Sequence, residues 1–203
     1  MTPAARFPFV AAVSLALAAC VSLGQQTPQR HYVLEAAAGN KPNRPAVVRD
    51  ATLIVAPMTA STFYDTPQIV YSRAPGARAY YQLSTWTERP SRRITDMLVA
   101  RLERAGSFRT VAYAASGVQG SVVLNTHLAA FYHDAATPPG QVKAAVVAEL
   151  IDPVRRTLLA RRTFERSASA PAHDAAGAVA AFNQATAALL DDITAWVDAS
   201  APR

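Results

Sequence analysis

Two stretches of alternating apolar and polar residues dominate the second half of the chain. In Ser121 to Tyr132, Val122, Leu124, Leu128, Ala130 and Tyr132 fall on one face, while Asn125, His127 and His133 fall on the other. Gln141 to Ile151 repeats the pattern with Val142, Ala144, Val146, Ala148 and Leu150. A period of two is that of a half-buried strand. Folding the two about Thr137-Pro138-Pro139-Gly140 sets Tyr132 against Val142 and Leu128 against Val146, with Asn125 opposite Glu149 on the other face. Two independent patterns therefore agree on one hairpin. After Asp152-Pro153, Thr157 to Arg166 makes the third strand of a meander.

The first half is broken into shorter pieces. His31 to Leu34 reads as a strand, Ala36 to Pro45 as loop, and Thr52-Leu53-Ile54-Val55-Ala56 as a buried strand ended by Pro57. Beyond the loop from Ser61 to Pro67, Gln68 to Arg73 and Arg78 to Leu83 flank Ala74-Pro75-Gly76-Ala77. Pro then Gly at the centre of a four-residue turn suits type II geometry, so this is a second hairpin. Pairing Arg73 with Arg78 places Tyr71 opposite Tyr80 and Val70 opposite Tyr81.

Two stretches keep helical spacing. From Pro90 and Ser91, the residues Ile94, Met97, Leu98, Leu102 and Ala105 form one stripe, with Arg92, Arg93, Asp96, Arg101 and Arg104 mainly off it. Gly106 stops that helix, and Phe108 to Ala112 follows as a short strand. From an Asp174 cap, Val179, Phe182, Thr186, Leu189, Leu190, Ile193, Trp196 and Val197 hold the period over more than four turns. The fold these elements predict is α+β, a single domain whose mostly antiparallel sheet is covered on one face by two helices.

Ahead of that domain, Arg6 and the apolar run Phe7 to Leu17 have the form of a secretory signal, too short to span a bilayer as a mature helix. The run ends in Leu17-Ala18-Ala19-Cys20, around the chain's single cysteine. This resembles the lipobox of bacterial lipoproteins, in which the thiol is alkylated with diacylglycerol, becomes the new N-terminus and is acylated again. The expected division is a signal peptide over 1–19, a lipidated tether over 20–30 and a domain over 31–198. Several acyl chains on one residue anchor stably where one binds marginally. Val21, where Asp resembles an inner-membrane retention signal, points to the outer membrane, an inner-membrane lipoprotein being the alternative.

Charge and candidate chemistry change this picture little. The net charge is +6, and Lys41 and Lys143 are the only lysines. The scattered arginines fit a GC-rich codon bias, or attraction to anionic headgroups or an acidic partner, and not nucleic acid. His127 and His133 lie six apart on one strand, roughly 20 Å, too far to share a metal ion, and read as solvated or edge-facing. No phosphate loop and no nucleophile elbow occurs, so no catalytic residue, cofactor or metal ligand is expected. What stands out is the crowding of Phe63, Tyr64, Tyr71, Tyr80, Tyr81, Trp86 and Phe108 into one third of the chain. Core packing accounts for most of them. Tyr64, Tyr71, Tyr80 and Trp86 are also candidate partner contacts, since Tyr and Trp dominate interface energies.

Taken in order, Phe63-Tyr64-Asp65-Thr66-Pro67-Gln68-Ile69-Val70-Tyr71-Ser72-Arg73, Tyr80-Tyr81, Trp86 with Pro90, and Leu102-Glu103-Arg104-Ala105-Gly106-Ser107-Phe108-Arg109-Thr110-Val111 resemble the ABC-type transport auxiliary lipoproteins. The resemblance implies a non-enzymatic subunit of an envelope lipid-transport system. Its partner would be a periplasm-spanning protein of the mammalian-cell-entry type, and its second contact the outer-membrane lipid reached through the acyl anchor. Self-association into a homo-oligomer is left open. A different class is a periplasmic lipoprotein that carries a lipid or other hydrophobe itself, which an apolar cavity between sheet and helices would favour.

Overall fold

The structure, a computed structural model, describes residues 28–37 and 48–202. Among these, the order is β1 (Arg30–Tyr32), β2 (Arg49–Val55), β3 (Thr59–Ala60), β4 (Gln68–Ser72), β5 (Ala79–Trp86), α1 (Pro90–Ala105), β6 (Phe108–Tyr113), β7 (Val122–Asp134), β8 (Gln141–Asp152), β9 (Thr157–Ser169) and α2 (Ala175–Ser200). The α+β class is as predicted, and all nine strands join one sheet.

The sheet is organised around β7. One edge of β7 pairs with β8, and β8 with β9, as the predicted meander. The other edge is shared in succession by three short strands, β2 at Val122–Leu124, β3 at His127 and Leu128, and β4 at His133 and Asp134. These three run parallel to β7, as do β1 to β5 and β2 to β6. The sheet is therefore mixed: its long ladders are antiparallel and its short ones mostly parallel. The parallel half has a topological cause, because β6 returns beside β2 through α1, a crossover connection.

The β7–β8 hairpin keeps the expected pairs Leu128 with Val146 and Asn125 with Glu149. Between Leu128 and Ala130 the register then slips by one, leaving Ala129 as a bulge. A one-residue slip exchanges the two faces. Beyond it Phe131 and His133 turn inward, at 2% and 0% exposure, while Ala130 and Tyr132 turn outward. His133 faces Val142 and Tyr132 faces Lys143, so the expected Tyr132–Val142 pair and the solvated His133 are both corrected. The β4–β5 register is also one residue off expectation, with Val70 opposite Tyr80 and Tyr71 opposite Ala79. The turn itself is as predicted, Gly76 at φ 72° and the Ala77 N–H donating to the Ala74 carbonyl at 3.1 Å. Arg78 leaves the ladder to lie over the Tyr132 ring.

Both helices pack into a single core. Pro90 takes the first position of α1, where its missing N–H costs nothing, and Gly106 closes it at φ 68°. On α2 the Asp174 carboxylate accepts the Gly177 N–H at 2.7 Å, and every residue of the predicted stripe is buried. Phe182 meets Phe131 at 4.3 Å and Trp86 at 5.4 Å between ring centroids, filling the space between helix and sheet. Arg101, expected off the apolar stripe, is 6% exposed. It is paired with Asp191 of α2 and donates to the Ala37 carbonyl, which satisfies its charge at the helix–helix contact.

The segment at 28–37 is strapped over that contact. The Thr87 N–H donates to the Tyr32 carbonyl at 2.8 Å, the Glu35 N–H to Asn183 Oδ1 at 3.0 Å, and Arg93 to the Leu34 carbonyl at 3.0 Å. Leu34 itself is 2% exposed. The core cluster runs from Leu34 to Ala201, so the described domain carries its own core.

Candidate docking surface

Cys20 and most of the tether lie outside the described residues. The four aromatic contact candidates do not share one fate. Trp86 is 2% exposed and packed on Phe131 and Phe182, so its ring is core and leaves the contact set. Tyr64, Tyr71 and Tyr80 are half-buried, each with part of its ring at the surface.

The chain brings Tyr64 and Tyr80 together with residues the aromatic count alone did not select. The loop between β3 and β4 lays Phe63 flat on Tyr80, centroids 4.6 Å apart, and the Tyr80 hydroxyl donates to the Phe63 carbonyl at 3.4 Å. Tyr64 stacks at 6.5 Å on Tyr132, which the bulge at Ala129 has turned outward. The Arg78 guanidinium sits 3.7 Å over the Tyr132 ring and donates to the Tyr64 hydroxyl at 3.2 Å. A cation over an aromatic face gains about 0.5–1 kcal/mol at exposed sites. Lys143 completes the patch, paired with Asp134 at 2.8 Å. That hydrogen bond holds the Asp134 carboxyl below the usual carboxylate range and the Lys143 ammonium above its own. Tyr71 sits beside this group, tilted on Tyr81 at 4.9 Å, with Arg73 over its other side at 5.2 Å.

Beneath the patch lies a polar bracket. His133 Nε2–H donates to the Pro139 carbonyl at 3.1 Å, and His133 Nδ1 accepts from the Tyr81 hydroxyl at 2.8 Å. The His173 Nδ1–H reaches the same carbonyl at 3.2 Å. Burial holds the His133 imidazole below the usual histidine range. Burial and the Asp174 charge push the Tyr81 phenol up to about 12. Gly140 is required here, since at φ 89° a Cβ would come within 2.3 Å of His133 Nε2. The bracket ties β5, β7, the Pro-rich turn and the entry to α2 into one rigid corner.

Sequence reasoning missed Tyr132 and His133 through the bulge, and Arg78 through the one-residue shift of the β4–β5 ladder. The signal was present in Phe131, a large apolar residue on what uniform alternation made the polar face. His31 is exposed and His127 half-buried at the sheet's outer face, with hydroxyl partners Thr85 at 3.0 Å and Thr59 at 2.9 Å. Among the described residues no three His, Cys, Asp or Glu side chains are grouped to hold a metal ion. The outer face of the sheet, opposite the helices, is hollowed by a depression of about 560 Å³ beside Tyr132, Lys143 and Ser167 and another of about 410 Å³ beside His127, Val147 and Arg161.

This geometry defines an α+β domain with an exposed aromatic and cationic surface over a filled core. The chain belongs to the family of ABC-type transport auxiliary lipoprotein components, which matches residues 32–194. It is accordingly an auxiliary transport component of a lipoprotein family, a membrane-anchored protein of the cell envelope. No curated protein matches it significantly in sequence. Among solved structures it is similar to protein XCC0632 from Xanthomonas campestris, described as DUF330, at 23% identity and a TM-score of 0.75, covering 84% of this chain and 95% of that one. An uncharacterized protein aligns at 17% identity and 0.64 over 84% and 99%. Hypothetical protein CT253 from Chlamydia trachomatis aligns at 10% and 0.53 over 75% and 98%. At these identities the likeness is one of fold.

Proposed function

We propose that this protein is a non-enzymatic docking subunit of an envelope lipid transport system, lipidated at Cys20 and held on the periplasmic face of the outer membrane, where it supports membrane integrity. In this reading a permease and ATPase in the inner membrane work with a mammalian-cell-entry-type protein that crosses the periplasm. The lipoprotein receives the far end of that conduit. The observation that carries the reading is a contact surface of Phe63, Tyr64, Tyr80, Arg78 and Tyr132 on a domain whose interior is occupied. Aromatic and arginine side chains are those that dominate interface energies. Phe182, Leu189, Leu190 and Ile193, each at 1% exposure or less, fill the place where a carried lipid would lie, which favours docking over carrying.

A photo-crosslinking side chain at Tyr80 tests the reading in intact cells. Illumination should yield an adduct with the periplasm-spanning transport subunit. Absence of adducts at Tyr64, Tyr71 and Tyr80 alike would remove this surface as the docking site. Stoichiometric phospholipid extracted from the purified protein would favour the lipid-carrying alternative instead. For the anchor, Cys20→Ser should leave uncleaved precursor or release protein into the soluble fraction, and membrane association unchanged by this substitution would refute lipidation.

A further inference from the structure

The end of the meander farthest from the aromatic patch is built differently. Leu158 pairs with Ile151, and Ile151 with Val123, so three aliphatic side chains form one row across β9, β8 and β7 on the outer face. Leu158 is 56% exposed, its neighbour Leu159 38%, and Val154 at the tip of the hairpin 87%. Around them stand Arg155, Arg156 and Arg161, while Arg162 lies on the opposite face of β9, over the Phe164 ring. The carboxylates of this segment are already engaged, Asp152 by Arg155 at 2.9 Å and Glu149 by Arg161 at 3.4 Å. Arg156 has no ionic partner among the described residues.

The backbone presents this tip deliberately. Asp152 Oδ1 accepts the N–H groups of Val154 and Arg155, both at 2.9 Å, which fixes the turn with Val154 outward. Arg156 sits at φ 55°, a left-handed conformation where glycine would rest without strain. A long cationic side chain is thus held at a position that local geometry gives to another residue.

We propose that the β8–β9 tip is a second membrane contact that binds an anionic bilayer surface. Val154 and Leu158 would enter the interface between headgroups and acyl chains, and the arginines would pair with lipid phosphates. The chemistry is complementary: exposed aliphatic residues ringed by cations lie at that depth, and the guanidinium fork fits a phosphate bidentately. The tip is also a short exposed turn with few apolar side chains, whereas a stable protein interface buries about 800 Å² on each partner. Anchor and tip can act together. Pro28 lies eight positions after Cys20, a reach of roughly 26–29 Å when extended, and β1 enters near the opposite end of β7. A domain held by both would lie along the bilayer with the outer face of its sheet fixed in orientation. The proposal does not depend on the docking reading, and its test uses no transport partner.

The mature chain from residue 20 with Cys20→Ser has no other cysteine, so Val154→Cys accepts an environment-sensitive fluorophore at one place. Vesicles of phosphatidylcholine with about one third phosphatidylglycerol should shift its emission to the blue. Phosphatidylcholine alone should not, and added salt should reverse the shift by screening. A probe at Ala77, in the exposed turn between β4 and β5, should stay unshifted. In sedimentation with the same vesicles, Arg155→Glu with Arg156→Glu should weaken binding at least tenfold, each arginine near an anionic surface being worth about fivefold. Leu158→Asp with Val154→Asp should do the same while the far-ultraviolet spectrum stays native. No shift with anionic vesicles, equal shifts at Ala77, or undiminished binding by either double variant would overturn the proposal. A shift produced by envelope proteins and not by vesicles would also overturn it, giving the tip to a protein.

Discussion

The two ends of the β7–β8 ladder are built on opposite principles. Where Asp134 faces Gln141, side chains are consumed by the fold itself: His133, Tyr81 and His173 converge on one turn, and Trp86, Phe131 and Phe182 close the core below them. Where Val123 faces Ile151, the ladder ends in an exposed turn, with the Val154 side chain outside the core and Arg156 without an ionic partner among the described residues. An end that satisfies its own groups tolerates little change. An end that leaves them unmatched can change freely, and its side chains are then explained by something outside the domain. Substitutions along the ladder should grade accordingly.

The largest effect belongs to the closed end. Trp86→Ala removes a ring packed on two others and should cost about 3–5 kcal/mol in denaturant unfolding, with function falling only through lower abundance. Normal stability combined with a detergent-sensitive envelope would reverse the assignment and place Trp86 at the interface.

A smaller, pH-dependent effect belongs to His133. Its imidazole is held neutral below the ordinary histidine range by burial, with the Pro139 carbonyl, Asp134 and Asp174 pulling the other way and His173 adding to the depression. The unfolded chain therefore binds the proton more readily. Stability is full above about pH 6.5 and is lost as pH falls toward the folded value. His133→Gln should flatten that acid slope and cost about 1–3 kcal/mol at pH 7, because the Tyr81 hydroxyl and the Pro139 carbonyl lose a shared partner. An unchanged slope in urea titrations from pH 5 to 7 would show that other groups set it.

The same contrast explains what could be read from the chain alone. The meander, both helices, the Asp174 cap and the Gly106 stop were legible because each rests on local periodicity or on a conformation one residue type favours. The face switch at Ala129 was not, since a bulge adds one residue without changing composition. Tyr132 and His133 therefore exchanged roles, and with them went the membership of the aromatic patch. The short strand β3 and the parallel pairing of β2, β3 and β4 with β7 were hidden for a different reason. Their pairing is decided by crossover topology, and short runs such as Thr59–Ala60 carry no periodic signal. Arg101 escaped because a buried arginine is identified by its partners, Asp191 and the Ala37 carbonyl, which lie far away in sequence.

At the open end the sign changes. Arg156→Gly exchanges a strained left-handed residue for one that adopts φ 55° freely, partly offset by the greater freedom of glycine in the unfolded chain. The net expectation is a gain of roughly 0.5–1 kcal/mol, read from the thermal midpoint. A loss would mean that the Arg156 side chain holds the fold together, and the tip would then resemble the closed end.

The smallest effect is expected at Val154. The residue is 87% exposed and its side chain belongs to no part of the core, so removing it creates no cavity. Its backbone N–H is held by the Asp152 carboxylate whatever its side chain, and the Thr157 pairing with Asp152 does not involve it. Val154→Asp should therefore change stability by less than about 0.5 kcal/mol, the range of surface substitutions away from special features. Ordinary solubility favours the aspartate, because an exposed aliphatic tip is an association hazard for a free domain. A cost above about 1 kcal/mol would show that Val154 packs onto its own hairpin, and the distinction between the two ends of β7 would be lost.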